Sequence, residues 1–551
     1  MHKVILYRIS ISAVQRARPS LRVVTIAWTL VLFLLAPIIG SGAGEKLYNP
    51  EAVVPPQCYT KHEGRFNPCY VCHQNHRDGE RLNAMNDQRL QSEYDFADVA
   101  LKNHWTNLFV DRRPLIARID DQQIVEYVAQ DNYSSLAERL EQSGWQGYIP
   151  RVKDLQEAGA VFDRWGLARD GSGWVAFNYK PLPSTFWPTN GSTDDVMIRL
   201  PEAFRSDADG SYDREIYLLN LSIAEAAIKN LTEISIPPTD ERRIGVDLDG
   251  DGTLRPSVMR LKRPQSYLGS AADVPMLRFL YPQGTEFLHT VRYVGVGEGG
   301  AIQSSRRLKE LRYMRKHTLF LPDQVRARYE ALEHEEEEAS GSASAGEQVQ
   351  GGVQPAGDYG YDNGFGWYVQ GFIEDADGEL RPQRTEEGLF CMGCHASIGA
   401  TVDHTFAFSR KITGTPGWGY IDSHGMPDAS LVGEDIGEIL QYFRRVGGGD
   451  EFRENEELLD RFFHEDGTVR TDKVRSMDVY ELISPSRSRA IALNKAYWTI
   501  VREQSFIRGR DANLAPMDNV YRQVDPDTAP TLPKSKQFDS DIRLDWTAHG
   551  Q

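Results

Sequence analysis

Two cysteine–histidine motifs are the parts of this 551-residue chain with the clearest chemical potential. Residues 69–73 read CYVCH and residues 391–395 read CMGCH, so both have the pattern C-x-x-C-H. Thiols separated by two residues can each add to one vinyl group of a haem, and the adjacent histidine can then ligate the iron. The sequence therefore predicts two covalently bound haem c groups. The predicted attachment residues are Cys69, Cys72, Cys391 and Cys394, and the predicted proximal iron ligands are His73 and His395.

Thiol exchange and zinc binding are the alternatives for this cysteine pattern. A thioredoxin-like pair does not require the histidine. A zinc ribbon has its two cysteine pairs about 15–20 residues apart, whereas here the pairs lie in opposite parts of the chain. Cys58 is the fifth cysteine and belongs to neither motif. It is compatible with a buried inert thiol, a thiolate ligand of haem iron, or a disulfide between chains.

An acidic loop is the second chemical signal. Residues 247–252 read DLDGDG, the first half of an EF-hand loop, in which alternating carboxylates converge on calcium and a glycine permits the turn. The match ends there, because position twelve is Val258 rather than glutamate. The sequence predicts a calcium site at Asp247, Asp249 and Asp251, with a simple Asp-Gly turn between two strands as the alternative.

The chain around the second motif resembles a class I c-type cytochrome. Residues 414–420 form a loop rich in glycine and aromatic residues, and residues 424–427 read HGMP, like the turn that presents the distal methionine in that family. Residues 431–446 look like its closing helix, because their apolar residues recur at helical spacing and three glycines follow. The resemblance implies that Met426 is the distal iron ligand, with His404 and His424 as competitors.

The first motif is followed by a weaker version of the same pattern. Residues 120–128, DDQQIVEYV, again look like a closing helix, but no Gly-Met-Pro precedes them. The candidates for the distal ligand are His62, His76, Met85 and His104. We place His104 first, because Asn103-His104-Trp105 precedes a predicted turn.

Around these sites the sequence predicts an α+β protein, with mostly helical cytochrome c-like haem segments and a mixed irregular and β middle region. Residues 216–221 and 288–296 look like strands, and residues 302–315 look like a basic helix. The acidic, Gly/Ser-rich stretch 333–357 cannot bury a core and predicts a flexible linker or a long exposed loop. The predicted segments are a first haem-binding segment at 44–150, a mixed α/β region with the acidic loop at 151–332, the linker at 333–357, a second cytochrome c-like segment at 358–450, and a helical extension and tail at 451–551.

The N-terminus has the order of an export signal. Basic residues without acidic ones, an apolar run at 23–39 and small residues at 40–43 predict cleavage after Ala43. The alternative is an uncleaved anchor, for which the run is short. We therefore expect a periplasmic or otherwise exported bacterial protein, attached to the inner membrane if the segment is retained.

Composition and charge restrict the function. The chain has 40% hydrophobic and 26% charged residues, which is ordinary globular usage, and its net charge of −17 argues against a nucleic-acid partner. With the motifs, these properties predict an exported dihaem c-type cytochrome that carries electrons to and from redox partner proteins. A dihaem enzyme of peroxidase or oxygenase type, with one open iron, and a haem subunit of a respiratory complex are the alternatives, so enzymatic activity stays open.

Overall fold

A computed structural model describes residues 54–67, 69–74, 100–183, 186–339, 352–395, 398, 400–447, 455–525, 527–538 and 542–547. All of these residues belong to one compact unit, Tyr48–Gln551. The predicted export signal at 1–43 and two of the distal-ligand candidates, His76 and Met85, lie outside the described residues. No helix in the described part of the chain is both long and apolar enough to cross a membrane.

An eight-stranded antiparallel sheet forms the centre of the fold, and two further antiparallel pairs of strands stand apart from it. The strands are β1 (Val175–Ala176), β2 (Thr193–Arg199), β3 (Glu233–Thr239), β4 (Val258–Lys262), β5 (Glu286–Val296), β6 (Ile302–Lys316), β7 (Gln354–Pro355), β8 (Tyr361–Asp362), β9 (Trp367–Glu374), β10 (Leu380–Pro382), β11 (Ser430–Leu431) and β12 (Leu544–Asp545). The strand order in the central sheet is β1-β2-β5-β6-β9-β8-β7, with β10 paired to β9, and the separate pairs are β3 with β4 and β11 with β12.

Helices and short 3₁₀ turns pack around this sheet. The α-helices are α1 (Arg113–Ile116), α2 (Asp121–Val128), α3 (Leu136–Gln142), α4 (Arg214–Lys229), α5 (Glu241–Ile244), α6 (Pro322–Ala339), α7 (Thr385–His395), α8 (Ala407–Arg410), α9 (Glu438–Val446), α10 (Glu456–Phe462), α11 (Thr471–Arg475), α12 (Val479–Ile483) and α13 (Arg487–Glu503). The prediction of an α+β protein is confirmed. The prediction that the haem segments are mostly helical is not, because the sheet dominates the centre.

The basic segment 302–315 is a strand, so the helix prediction was wrong. Its residues are good helix formers, but β6 pairs with β5 on one side and with β9 on the other. Most of its side chains are buried between these neighbours. Tertiary pairing has overridden local helix propensity here.

The strand predicted at 216–221 was also wrong, because these residues lie inside α4. The side chain of Asp213 accepts hydrogen bonds from the first backbone N–H groups of the helix, and Asn230 ends it in a left-handed conformation. Residues Ile216–Lys229 are all buried, so no amphipathic stripe marks the helix in the sequence. The strand predicted at 288–296 is confirmed as part of β5.

The two predicted closing helices are present in different degrees. Residues 121–128 form α2, capped by the side chain of Asp120. Only the second half of the stretch 431–446 is helical, as α9, because Ser430–Leu431 pairs with Leu544–Asp545 instead. The predicted linker begins within α6, and the sheet takes strands from both sides of it.

Candidate functional site

One cavity brings the two C-x-x-C-H segments together. It encloses about 2210 Å³ of space between atoms, part of it open to solvent. All five cysteines and the motif histidines His73 and His395 line it, although the motifs lie far apart in the chain. Much of the remaining lining is apolar, including Phe177, Val196, Phe287, Val369, Phe390 and Ile398.

The second motif is built on the last turns of α7. Cys391 and Cys394 are three residues apart on this helix, a spacing that places side chains on the same side. His395 is the last helical residue. Its Nδ1 lies 2.9 Å from the backbone oxygen of His404, as a ring N–H that donates to a carbonyl would. The contact is made by Nδ1 and does not involve Nε2. Burial lowers the pKa of His395 to about 4, so the ring is neutral at pH 7.

The turn that supplies this carbonyl is strained. Asp403 and His404 are both in the left-handed region, with φ of 52° and 61°, where non-glycine residues are uncommon. Backbone hydrogen bonds between Val402 and Thr405, of 3.0 and 3.2 Å, close the turn. Such conformations persist when the surroundings determine them.

A buried ion pair holds the turn. The carboxylate of Asp403 accepts hydrogen bonds from Nζ of Lys316 at 2.5 Å and from the backbone N–H of Tyr281 at 2.8 Å. Both charged side chains are almost fully buried, with 1% and 3% exposure for Lys316 and Asp403. The carbonyl orientation at His404 therefore depends on a strand of the central sheet.

The first motif lies in a short 3₁₀ turn, Cys69–Val71, rather than in a long helix. The backbone N–H of His73 donates to the oxygen of Cys69 at 2.8 Å, which closes the turn around the two thiols. The side-chain oxygen of Asn67 accepts from the backbone N–H of Cys69 at 2.9 Å. Asn67 in turn donates its own backbone N–H to Pro530 at 2.8 Å, which ties the motif to the C-terminal tail.

Burial keeps three of the cavity thiols, those of Cys58, Cys391 and Cys394, protonated. It raises the pKa of Cys391, and it raises the pKa of Cys394 to about 11 with a contribution from Cys391. The pKa of Cys58 is raised well above its usual value by burial and then by Cys69, Cys72 and Cys394, so Cys58 lies near thiols of both motifs. Thiols of this kind are poor nucleophiles, which argues against a thioredoxin-like pair.

Two cavity histidines belong to neither motif. His62 repeats the arrangement of His395, since its Nδ1 lies 3.1 Å from the backbone oxygen of Val446 and burial lowers its pKa to about 4. His289 on β5 also lines the cavity, and its Nε2 lies 3.3 Å from the carboxylate of Asp194. The sequence named His62 only as one of several candidates and gave no signal for His289, because sheet pairing brings it to the cavity.

Four of the residues named as distal-ligand candidates, Met426, His104, His404 and His424, lie outside the cavity lining. Met426 is buried in an apolar core with Ile439 and Leu440, and neither Met426 nor His104 lines the cavity. The ring of His404 stacks on Phe365 at 4.2 Å, so this residue contributes its carbonyl. His424 is exposed beside Asp422. The cavity therefore gives no support to these ligand predictions.

The comparisons with known proteins concern the whole chain. A family model for lipoprotein-like chains matches residues 44–481. A protein of Aquifex aeolicus (strain VF5), described as an uncharacterized lipoprotein, is 33% identical over 526 residues, which make up 85% of this chain and 86% of that protein. The chain belongs to this lipoprotein family. No solved structure matches it.

Family membership corrects the interpretation of the sequence. The lipoprotein match covers both motif segments and the region between them. The cytochrome resemblance, in contrast, was based mainly on the chain around the second motif. The identification as a dihaem class I c-type cytochrome is therefore wrong, and so is the electron-carrier function drawn from it. The enzyme and respiratory-subunit alternatives gain no support either. The descriptions of this chain as a cytochrome c and as a haem electron-transfer protein are wrong for the same reason.

The family match also bears on the location of the protein. Membership of a lipoprotein family confirms that the protein is exported, while the periplasm and an inner-membrane anchor stay predictions. The haem groups predicted from the motifs, the redox partners and the lack of a nucleic-acid partner are likewise predictions that the family does not address.

The acidic loop of the lipoprotein assembles a slightly different set of carboxylates from the predicted one. Oxygen atoms of Asp247, Asp249 and Glu241 lie within 4.8 Å of one another. Asp251 is instead paired with Arg255. The buried carboxylate of Glu241 accepts from the backbone N–H groups of Leu248 and Arg255 at 2.6 and 2.8 Å. Calcium stays a prediction, with Glu241 as a carboxylate that sequence reasoning missed.

Proposed function

We propose that this exported lipoprotein binds two haem groups covalently in the shared cavity. The observation that carries the proposal is the convergence of both C-x-x-C-H segments on one mostly apolar cavity. Haem supplies a redox-active iron when bound. The chain's own part is to attach the group, orient its histidine and shield it from water.

The histidines fit this role. Metal-ligating imidazoles commonly donate their other ring N–H to a carbonyl or carboxylate, which fixes the ring and the tautomer. His395 has such a contact with the carbonyl of His404. Its low pKa keeps the ring neutral, as a ligand nitrogen requires.

The lining fits as well. Aromatic and aliphatic side chains such as Phe177, Phe287 and Ile398 suit an apolar macrocycle. The two thiols of each motif face the same space as the motif histidine. A zinc site is less well matched, since among the described residues the only group of convergent metal-binding side chains is the acidic loop.

Covalent haem attachment also has an implication for the cellular location of the protein. Covalent attachment to C-x-x-C-H takes place outside the bacterial cytoplasm, which agrees with the export signal at 1–43. We infer a periplasmic protein, either released after cleavage or held at the inner membrane by its N-terminal segment.

The test is to express the full chain with its own N-terminus in a bacterium that attaches haem c in its periplasm. Pyridine haemochrome spectra and intact mass give the number of attached groups per chain. The expected result is two groups for the wild type, and one for each of C69S/C72S and C391S/C394S.

Cys58→Ser is the matched control, because Cys58 lines the same cavity outside the motifs. It should keep two groups. A wild-type protein without covalent haem, or one whose haem content is unchanged by both double substitutions, would overturn the proposal.

A further inference from the structure

Two arginines line the cavity, and their guanidinium groups are bonded very differently. Arg410 donates through Nη1 and Nη2 to the carboxylate of Glu438 at 2.5 and 2.6 Å, and through Nε to the backbone oxygen of Lys180 at 3.1 Å. Arg312 donates through Nε alone, to Oε2 of Glu310 at 2.9 Å. Within the described ranges, Nη1 and Nη2 of Arg312 have no hydrogen-bond partner. Arg312 therefore presents the open side of its guanidinium to the cavity.

The carboxylate that pairs with Arg312 is shared with a second arginine. Glu310 is shared, because Arg510 also donates to its Oε2 at 2.9 Å. Burial raises the pKa of Glu310, but Arg312 and Arg510 outweigh it and lower the pKa to about 2. One carboxylate thus faces two guanidinium groups.

His289 is the direct neighbour of Arg312 on the cavity wall. The two residues are cross-strand partners in the pairing of β5 with β6, a position that brings side chains on one face about 5 Å apart. The ring of Phe186 packs against both, 5.2 Å from the His289 ring and 5.5 Å from Cζ of Arg312. This apolar cover limits the access of water and strengthens electrostatic interactions there.

Asp194 is the acidic neighbour of His289 on the cavity wall. Its Oδ2 lies 3.3 Å from Nε2 of His289 and accepts from the Tyr179 hydroxyl at 2.5 Å. The carboxylate is 5% exposed. Among the described residues, Nε2 of His289 is buried without a hydrogen-bond partner, so this ring nitrogen lies unsatisfied beside the open guanidinium.

We propose that Arg312 and His289 form a binding subsite for a carboxylate or a small oxyanion inside the cavity. The planar fork of a guanidinium matches such groups in two parallel hydrogen bonds. The ligand is either a free small anion or a propionate of a bound haem, and the second source rests on the proposed function. The site itself requires only the chain's own residues.

The experiment uses the full-length protein as purified and sodium formate as the probe, with binding followed by calorimetry. Formamide has the same shape without the charge and serves as the ligand control. The variants are Arg312→Met, Arg312→Lys and Arg306→Met. Arg306 lies on the same strand but pairs with Glu157 at the surface, so it is the matched control.

If a free anion is the ligand, formate binds the wild type and Arg306→Met equally, and formamide does not bind. Arg312→Met should then weaken formate binding by about tenfold or more. Arg312→Lys should restore part of it, which separates a charge effect from misfolding.

If a haem propionate is the ligand, formate does not bind the haem-loaded wild type, and Arg312→Met but not Arg306→Met changes the visible spectrum of the haem. Formate binding that is the same in wild type and Arg312→Met would overturn the subsite. So would the absence of both formate binding and a spectral change. Haem content is measured separately, because a chain without haem that binds formate through Arg312 would keep the subsite while the proposed function fails.

Discussion

The two motif segments face the same cavity but are supported in different ways. The second forms the end of α7, and its histidine contacts a strained turn that is held by the buried pair Lys316–Asp403. The first is a short 3₁₀ turn held by the side chain of Asn67 and by backbone hydrogen bonds to the C-terminal tail. One half of the site therefore depends on the central sheet, and the other half on the last part of the chain. Substitutions should be able to loosen either half alone.

The largest effect is expected from Asp403→Asn. It leaves the ammonium group of Lys316 buried without a counter-charge, and breaking such a pair costs about 3–5 kcal/mol. Urea unfolding should show this loss, and hydrogen exchange should increase around 385–410 but not around 57–73. Asp422→Asn, at an exposed pair with His424, is the control. The comparison fails if the two variants unfold alike.

His62, beside the first motif, should make the free energy of unfolding depend on pH. Its pKa is about 4 in the folded protein and about 6.5 when unfolded, so between these values the unfolded chain binds the extra proton. Stability is therefore full above about pH 6.5 and falls by about 3 kcal/mol as the pH drops toward 4. Unfolding free energies across this range should vary less for His62→Gln than for the wild type. An equal change with His424→Gln, at an exposed site, would show that the effect is not specific.

The loss of stability in Asn67→Ala should be smaller and confined to the first motif. It removes the acceptor for the backbone N–H of Cys69 at a fully buried position, and an unsatisfied buried donor costs about 1–3 kcal/mol. Hydrogen exchange should increase at 57–73 and stay unchanged at 385–410. Faster exchange in both regions would mean that the two halves are not independent.

The smallest effect is expected from calcium, which should act on neither half. A calcium ion at Asp247, Asp249 and Glu241 would stabilise the chain by about 1.4 kcal/mol at ten times its dissociation constant. Thermal unfolding should shift upward with calcium in the wild type and not in Asp247→Asn. Asp251→Asn should show the same upward shift as the wild type, because Asp251 is paired with Arg255 and is not one of the three proposed ligands. A shift that survives Asp247→Asn would place the ion elsewhere.

The sequence predicted the local features and missed those that depend on distant pairing. The C-x-x-C-H spacing and the acidic loop are readable because each lies within a few residues. His289 and Arg312 meet only because β5 and β6 pair, and the helix-forming composition of 302–315 pointed away from that pairing. Glu241 precedes the acidic loop and carries no motif of its own. The cytochrome resemblance failed because it rested on one short segment, whereas the fold joins strands from both sides of the predicted linker.

The burial of the thiols has a consequence for biogenesis. Cys69 is 9% exposed and Cys391 is 7% exposed in the folded chain, so an attachment enzyme has little access to them there. If haem is attached as proposed, attachment should precede final folding. During export the first motif emerges long before the second, and the C-terminal tail that secures the first motif emerges last. The first half of the site would thus have to be modified while unfolded and locked only when the end of the chain arrives.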